Sequence, residues 1–134
     1  MSRIMIAGTG SGSGKTTIVC GLCQCIKDIG RTPTALKCGP DYIDAMFHSR
    51  VLKMCTGNLD SWFCDKTTIR TLLAKKEKSS DITVIEGVMG YYDGVGGIFT
   101  KASAYDLADT PDTPVILVVN SRGMSISLAA YIKG

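Results

Sequence analysis

The sequence predicts an α/β fold, a mostly parallel sheet with helices on both faces. Three observations predict it. Short apolar runs alternate along the chain with segments of helical periodicity, the order of βαβ units. The run Pro114-Val115-Ile116-Leu117-Val118-Val119-Asn120 is apolar without alternation, as in a strand covered on both faces. A first short strand also passes through a glycine-rich segment straight into a helix. The 134 residues suffice for one domain, spanning 1–134, and are too few for two of ordinary size.

The elements follow in order. Residues 4–7 form an apolar run ending in glycines, a buried parallel strand. Over 15–29 the pattern becomes helical: Ile18, Leu22, Ile26 and Ile29 recur on one face, and Gly30 ends the helix from a C-cap position. Residues 34–37, between Pro33 and Gly39-Pro40, predict a second strand, and 44–54 and 67–78 two further helices. Residues 81–86 are β-rich and apolar and close on a carboxylate. A Gly- and Tyr-rich loop covers 87–97, then a helix over 102–108, the strand over 114–120 and a helix over 124–133.

Composition narrows the function. An apolar fraction of 45% with 20% charged residues is that of a globular protein, and a net charge of +3 points to neither nucleic acid nor an acidic membrane surface. The basic stretch Lys75-Lys76-Glu77-Lys78 is expected as a solvated helix end, where cations suit the helix dipole. No run has the length of a membrane span, and the segment before the glycine loop is too short for a signal peptide. The protein is therefore expected in the cytoplasm, with its six cysteines as reduced thiols. Cys20, Cys23 and Cys25 lack a second ligand pair and are expected to pack as apolar groups rather than bind metal.

The segment Gly8-Thr9-Gly10-Ser11-Gly12-Ser13-Gly14-Lys15-Thr16-Thr17 stands between strand and helix, where a phosphate-binding loop belongs, and makes the fold P-loop NTPase-like. Glycines allow backbone N–H groups to turn inward, and the helix N-terminus adds partial positive charge. Gly10, Ser11, Gly12, Ser13, Gly14, Lys15, Thr16 and Thr17 are thus the expected nucleotide-binding residues. Lys15 is placed to reach the β- and γ-phosphates and the Thr16 hydroxyl to ligate Mg²⁺. Thr9 departs from the usual glycine at the start of the motif; neighbouring glycines supply the flexibility. Glu86, at a strand end, is the acid such enzymes place near the metal, and Asp41 and Asp44 follow the second strand. Lys37, near the carboxyl end of that strand, lies where such sheets bind ligands, to face a substrate carboxylate or the phosphoryl group.

The motifs Gly39-Pro40-Asp41-Tyr42-Ile43-Asp44-Ala45-Met46-Phe47-His48, Asn58-Leu59-Asp60 and Val84-Ile85-Glu86-Gly87-Val88-Met89-Gly90-Tyr91-Tyr92-Asp93-Gly94 occur in order with this loop. Together they resemble the cobyrinic acid a,c-diamide synthase family, over nearly the whole chain. Ala45, where the family usually has proline, and Asn120, where it often has aspartate, depart from its pattern. The resemblance implies an ATP- and Mg²⁺-dependent amidoligase. It would amidate the a and c acetates of a corrin ring through an acyl phosphate, with ammonia from glutamine. It implies Thr16, Asp41 and Glu86 as metal ligands and Lys15, Lys37, Asp41 and Glu86 as catalytic residues. Tyr42, Asp44, Tyr92 and Asp93 become candidates for the tetrapyrrole site.

The resemblance further implies a dethiobiotin synthetase-like N-terminal domain and a C-terminal glutamine amidotransferase domain. The latter is missing here: the one histidine, His48, lies inside a motif, leaving no Cys-His pair in the expected place. The chain is therefore expected to be an incomplete piece, inactive with glutamine by itself. A homodimer is compatible with the resemblance. Hydrogenobyrinate or nickel-sirohydrochlorin as the tetrapyrrole, a dethiobiotin synthetase-like carboxylase, and a partitioning-type ATPase remain as alternatives. Against the last, Gly10 stands where such ATPases usually carry an additional lysine.

Overall fold

The computed structural model describes residues 2–134; Met1, the first residue of the expected domain and of the short segment before the loop, lies outside the described residues. The elements are β1 (Ser2–Gly8), α1 (Lys15–Asp28), β2 (Pro33–Cys38), α2 (Tyr42–Val51), β3 (Cys55–Leu59), α3 (Lys66–Glu77), β4 (Ile82–Glu86), α4 (Ala104–Asp109), β5 (Val115–Val118) and α5 (Ser127–Lys133), with a short 3₁₀ turn at Val95–Gly97. The strands form one parallel sheet in the order β3-β2-β4-β1-β5. The expected α/β class with helices on both faces is what the chain adopts.

Alternation along the central strands builds two apolar layers. Ile6, Ala35 and Val84 face α1 and pack on its Val19, Cys23 and Ile26. Met5, Ala7, Leu36 and Ile85 face the opposite way, onto Ile69 and Leu73 of α3 and Ala104, Leu107 and Ala108 of α4. Leu73 is 1% exposed in the middle of this second layer. Leu73→Ala is expected to remove ~2–5 kcal/mol of stability through the cavity it leaves, read as a lower urea midpoint with an unchanged slope.

Several expectations need correction. No strand was expected at Cys55–Leu59, yet β3 pairs there with β2 as an edge strand. Its Gly57 and Asn58 carry weak β-propensity, so pairing with β2 supplies what the local sequence lacks. The buried stripe of α1 is Lys15, Val19, Cys23 and Ile26; of the expected face Ile26 is buried and Leu22 packs partly buried against the core, whereas Ile18 and Ile29 are exposed. Isoleucine hydrophobicity suggested the wrong origin for a correct period. Of the three neighbouring cysteines only Cys23 is buried; Cys25 is exposed.

The helix end at Lys75-Lys76-Glu77-Lys78 is not simply solvated: Glu77 is buried and accepts from Arg3 of β1 at 2.8 Å, while Lys76 donates to the Thr56 carbonyl at 2.9 Å. Helix α2 begins at Tyr42, two residues before the expected start, because the Asp41 side chain caps it by accepting from the Ile43 N–H. Finally, β5 is half-exposed rather than covered on both faces: Ile116 and Leu117 reach solvent. Among the described residues, no helix is long and apolar enough to cross a membrane.

Candidate functional site

The carboxyl ends of β1, β2 and β4 converge on one concavity of about 420 Å³. Crevices of this kind are the usual ligand sites of parallel sheets. Its lining combines the loop residues Ser11, Gly12, Gly14, Lys15, Thr16 and Thr17 with Lys37, Asp41 and Glu86. Gly14 introduces α1 with φ of 94°, a left-handed conformation that strains any residue with a Cβ. At Gly8 a Cβ would press against the Ser13 hydroxyl and the Lys15 side chain. These two positions let the loop fold back on the helix it starts.

Lys15 is buried, its Nζ donating to the carbonyls of Gly10 and Met89, both at 2.8 Å. Burial lowers the pKa of its ammonium below the ordinary lysine value; Lys37 adds to the effect, while Glu86 and Asp93 oppose it. Two neutral carbonyls hold this cation where it overlooks the concavity. Gly10 contributes that carbonyl rather than a wall of the concavity, and Ser13 turns its hydroxyl inside, without a hydrogen-bond partner among the described residues.

Pairing across the sheet assembles the charged cluster. Lys37 lies level with Glu86 on one side and Asn58 on the other. Alternation points Lys37 and Glu86 toward the α1 face, one step beyond Ala35 and Val84. Lys37 Nζ donates to Glu86 Oε1 at 2.8 Å and Asp44 Oδ2 at 2.6 Å, and lies 3.9 Å from Asp41 Oδ2. Burial works against its charge, but the hydrogen bonds to Asp44 and Glu86 outweigh it, so the pKa is raised above the ordinary value. Asn58, on the unexpected strand, donates to the carbonyls of Gly39 and Asp41 and fixes the turn that carries Asp41.

Of the three expected metal ligands, Thr16 and Glu86 meet, with Thr16 Oγ1 donating to Glu86 Oε1 at 2.5 Å. Glu86 Oε2 is buried and has no hydrogen-bond partner among the described residues. Two hard oxygens facing one another, one carried by a carboxylate with unused acceptor capacity, fit a magnesium ion. Asp41 approaches them through Lys37, its Oδ2 3.9 Å from the Lys37 Nζ.

His48 is the residue whose position sequence reasoning missed. It is 2% exposed, on α2, with Nε2 3.8 Å from Glu86 Oε2. Its place in the Gly39-to-His48 motif was the one available signal.

The candidates for a larger substrate divide. Asp44 belongs to the Lys37 cluster. Tyr42 is exposed on the first turn of α2. Tyr92 packs at a tilt against Tyr91 and Tyr105, ring centroids 4.8 and 5.3 Å away, and lines neither this concavity nor its neighbour. Asp93 lines that neighbour and accepts from the Gly90 N–H at 2.8 Å. The arrangement can grip a polyphosphate, and it holds one ammonium among several carboxylates in the same concavity as the loop.

Comparison with known proteins extends this. Residues 4–88 match the family model described as the CobQ/CobB/MinD/ParA nucleotide binding domain. The chain is 40% identical over 132 residues to a cobyrinate a,c-diamide synthase of Priestia megaterium, covering 98% of this chain and 29% of that protein. To the enzyme of the same name from Thermoplasma volcanium it is 45% identical over 132 residues, again 98% of this chain and 29% of the other. The chain thus spans about three tenths of the length of these curated relatives. Among solved structures it resembles the signal recognition particle receptor FtsY from Elizabethkingia anophelis, with a TM-score of 0.67 over 98% of this chain and 46% of that one. At 16% identity that likeness concerns the fold alone.

Proposed function

This chain belongs to the CobQ/CobB/MinD/ParA nucleotide-binding domain family, and we propose that it is the carboxylate-activating part of a cobyrinate a,c-diamide synthase. The observation that carries the proposal is the Lys37 cluster. An ammonium held by Glu86 and Asp44 stands beside the phosphate loop, where a site that only bound nucleotide would have no need of it. The names of the relatives supply the substrate, cobyrinate, and the positions to be amidated.

The chemistry proceeds in two steps. A carboxylate resists ammonia because oxide is an impossible leaving group. An acetate oxygen of cobyrinate therefore attacks the γ-phosphorus of ATP, the bond to the β-γ bridging oxygen breaks, and ADP leaves. Ammonia then attacks the acyl phosphate carbon, and phosphate departs with the former carboxylate oxygen. Glutamine is the proposed source of the ammonia, through a glutaminase domain such as the longer relatives would have room for.

Two anions must meet in the first step, so positive charge has to be in place beforehand. Lys15 leaves its two carbonyls for the β- and γ-phosphates, and the loop N–H groups take the remaining oxygens. Lys37 faces the incoming carboxylate or the phosphoryl group in transfer. Asp44 and Glu86 keep it charged and fixed. Thr16 and Glu86, with Asp41 through water, would hold Mg²⁺. That ion would draw charge from the phosphate oxygens and so assist the transfer.

The test supplies ammonium chloride in place of glutamine. ADP release by the protein is expected to depend on cobyrinate and to yield a corrinoid amide. ADP release indifferent to cobyrinate, or stimulated by hydrogenobyrinate, nickel-sirohydrochlorin or a diamino acid in its stead, would move the assignment to another substrate.

A further inference from the structure

Beside the phosphate site, at the carboxyl ends of β2, β3 and β4, lies a second concavity of about 460 Å³. The two share Val88 and Met89, so one wall serves both. Further apolar lining comes from Pro40, on the turn after β2, from Trp62 and Phe63, on the turn after β3, and from Val95 and Ala102. Trp62, Phe63 and Met89 are 56%, 76% and 50% exposed, and grouped around a concavity they form a surface that a ligand would cover.

We propose that this cleft receives an apolar face of the tetrapyrrole substrate, so that Trp62, Phe63 and Met89 contact the macrocycle and its acetate crosses the Val88–Met89 wall to Lys37. The inference rests on the synthase reading and adds the residues that hold the substrate. Its occupant follows from the continuity of the two concavities and from their charges. Asp60 and Asp93 line the cleft, and Asp60 Oδ2 is buried with no hydrogen-bond partner among the described residues. Lys15 and Lys37 lie across the wall. A ring rimmed with carboxylates is repelled at the first end and attracted at the second, which turns a reacting acetate toward the phosphate loop. The apolar face of the ring is left for the aromatic pair, whose own flat faces suit it.

Met89 also links the two sites. Its carbonyl is one of the two that hold Lys15, and its backbone is in a positive-φ conformation at 49°. Once Lys15 turns to a nucleotide, that carbonyl loses its donor.

The test measures binding of cobyrinate by equilibrium dialysis, read by its own visible absorbance, with ATP affinity measured alongside by calorimetry. Trp62→Ala and Phe63→Ala alter exposed side chains outside the phosphate loop. Each is expected to raise the Kd for cobyrinate about tenfold, the loss of one well-seated aromatic contact, and to leave that for ATP unchanged. Ile98→Ser, at an exposed residue outside the cleft, is expected to alter neither. If both aromatic variants bind cobyrinate as the unaltered protein does, the cleft assignment is overturned and the synthase reading stands. If the unaltered protein binds ATP but no cobyrinate, the reading itself falls and takes the cleft with it.

Discussion

Lys15→Ala is expected to weaken binding of ATP by a factor on the order of 10²–10³, which corresponds to roughly 3–4 kcal/mol. The resting Lys15 ammonium spends its hydrogen bonds on two neutral carbonyls, those of Gly10 and Met89. A triphosphate offers it charged oxygens in a partly dehydrated site, where charge-assisted bonds are about twice as strong. Removing the cation leaves the loop's N–H groups and dipole to hold the anion by themselves. Calorimetric titration with ATP measures the effect, and near-native affinity in the variant would remove Lys15 from the phosphate grip.

The same residue fixes a pH dependence. Burial holds its pKa below that of an ordinary lysine, and the charged form is the one that binds phosphate. In the nucleotide-free protein that charge is lost as pH rises through the lowered value, so affinity declines at a less alkaline pH than for a solvated lysine. Lys15→Ala is expected to abolish that alkaline decline as well as to weaken the affinity. A decline of the same shape in the variant would assign it to another group.

Glu86→Gln is expected to leave nucleotide binding nearly intact and to reduce turnover by a factor on the order of 10²–10³, the usual scale for loss of one electrostatic partner of a transferred group. The substitution keeps the shape of a side chain that is 1% exposed. Its Oε1 can still accept from Thr16 and Lys37, and its amide nitrogen takes the place of Oε2, which has no hydrogen-bond partner among the described residues. What disappears is the negative charge that steadies Lys37 and that would hold the metal. Turnover measured across a magnesium titration is therefore expected to be lower at saturation and to need more magnesium to reach it. Native turnover with native magnesium dependence would exclude Glu86 as a ligand.

Much of this was legible before any fold was known, because it depends on short stretches of chain. A strand, seven residues of glycine-rich loop and a helix form a phosphate cradle by local geometry alone, so the segment ending in Lys15-Thr16-Thr17 declared itself. Glu86 and Gly87 announced a strand end, and the helical period of α1 was plain. Its phase was not. Val19 and Cys23 are buried, and Ile18 is exposed, because the loop sets how α1 lands on Ile6, Ala35 and Val84. Similarly β3 has little intrinsic strand character and exists because β2 offers it a partner.

The order of residues by itself determined the class of fold, the phosphate loop and the identity of the charged residues that follow the strands. Those features arise from periodicity and from contacts between near neighbours in the chain. Only the tertiary structure decided which of the acids meet. Parallel pairing sets Lys37 level with Glu86, and α2 brings Asp44 and His48 onto the same face. It also placed Tyr92 in a cluster of tilted tyrosines and brought Trp62 and Phe63, more than twenty residues before Val88 and Met89 in the chain, to the cleft those two share. Register across a sheet is fixed by which faces are buried together, a match between strands far apart in the chain that no single strand carries by itself.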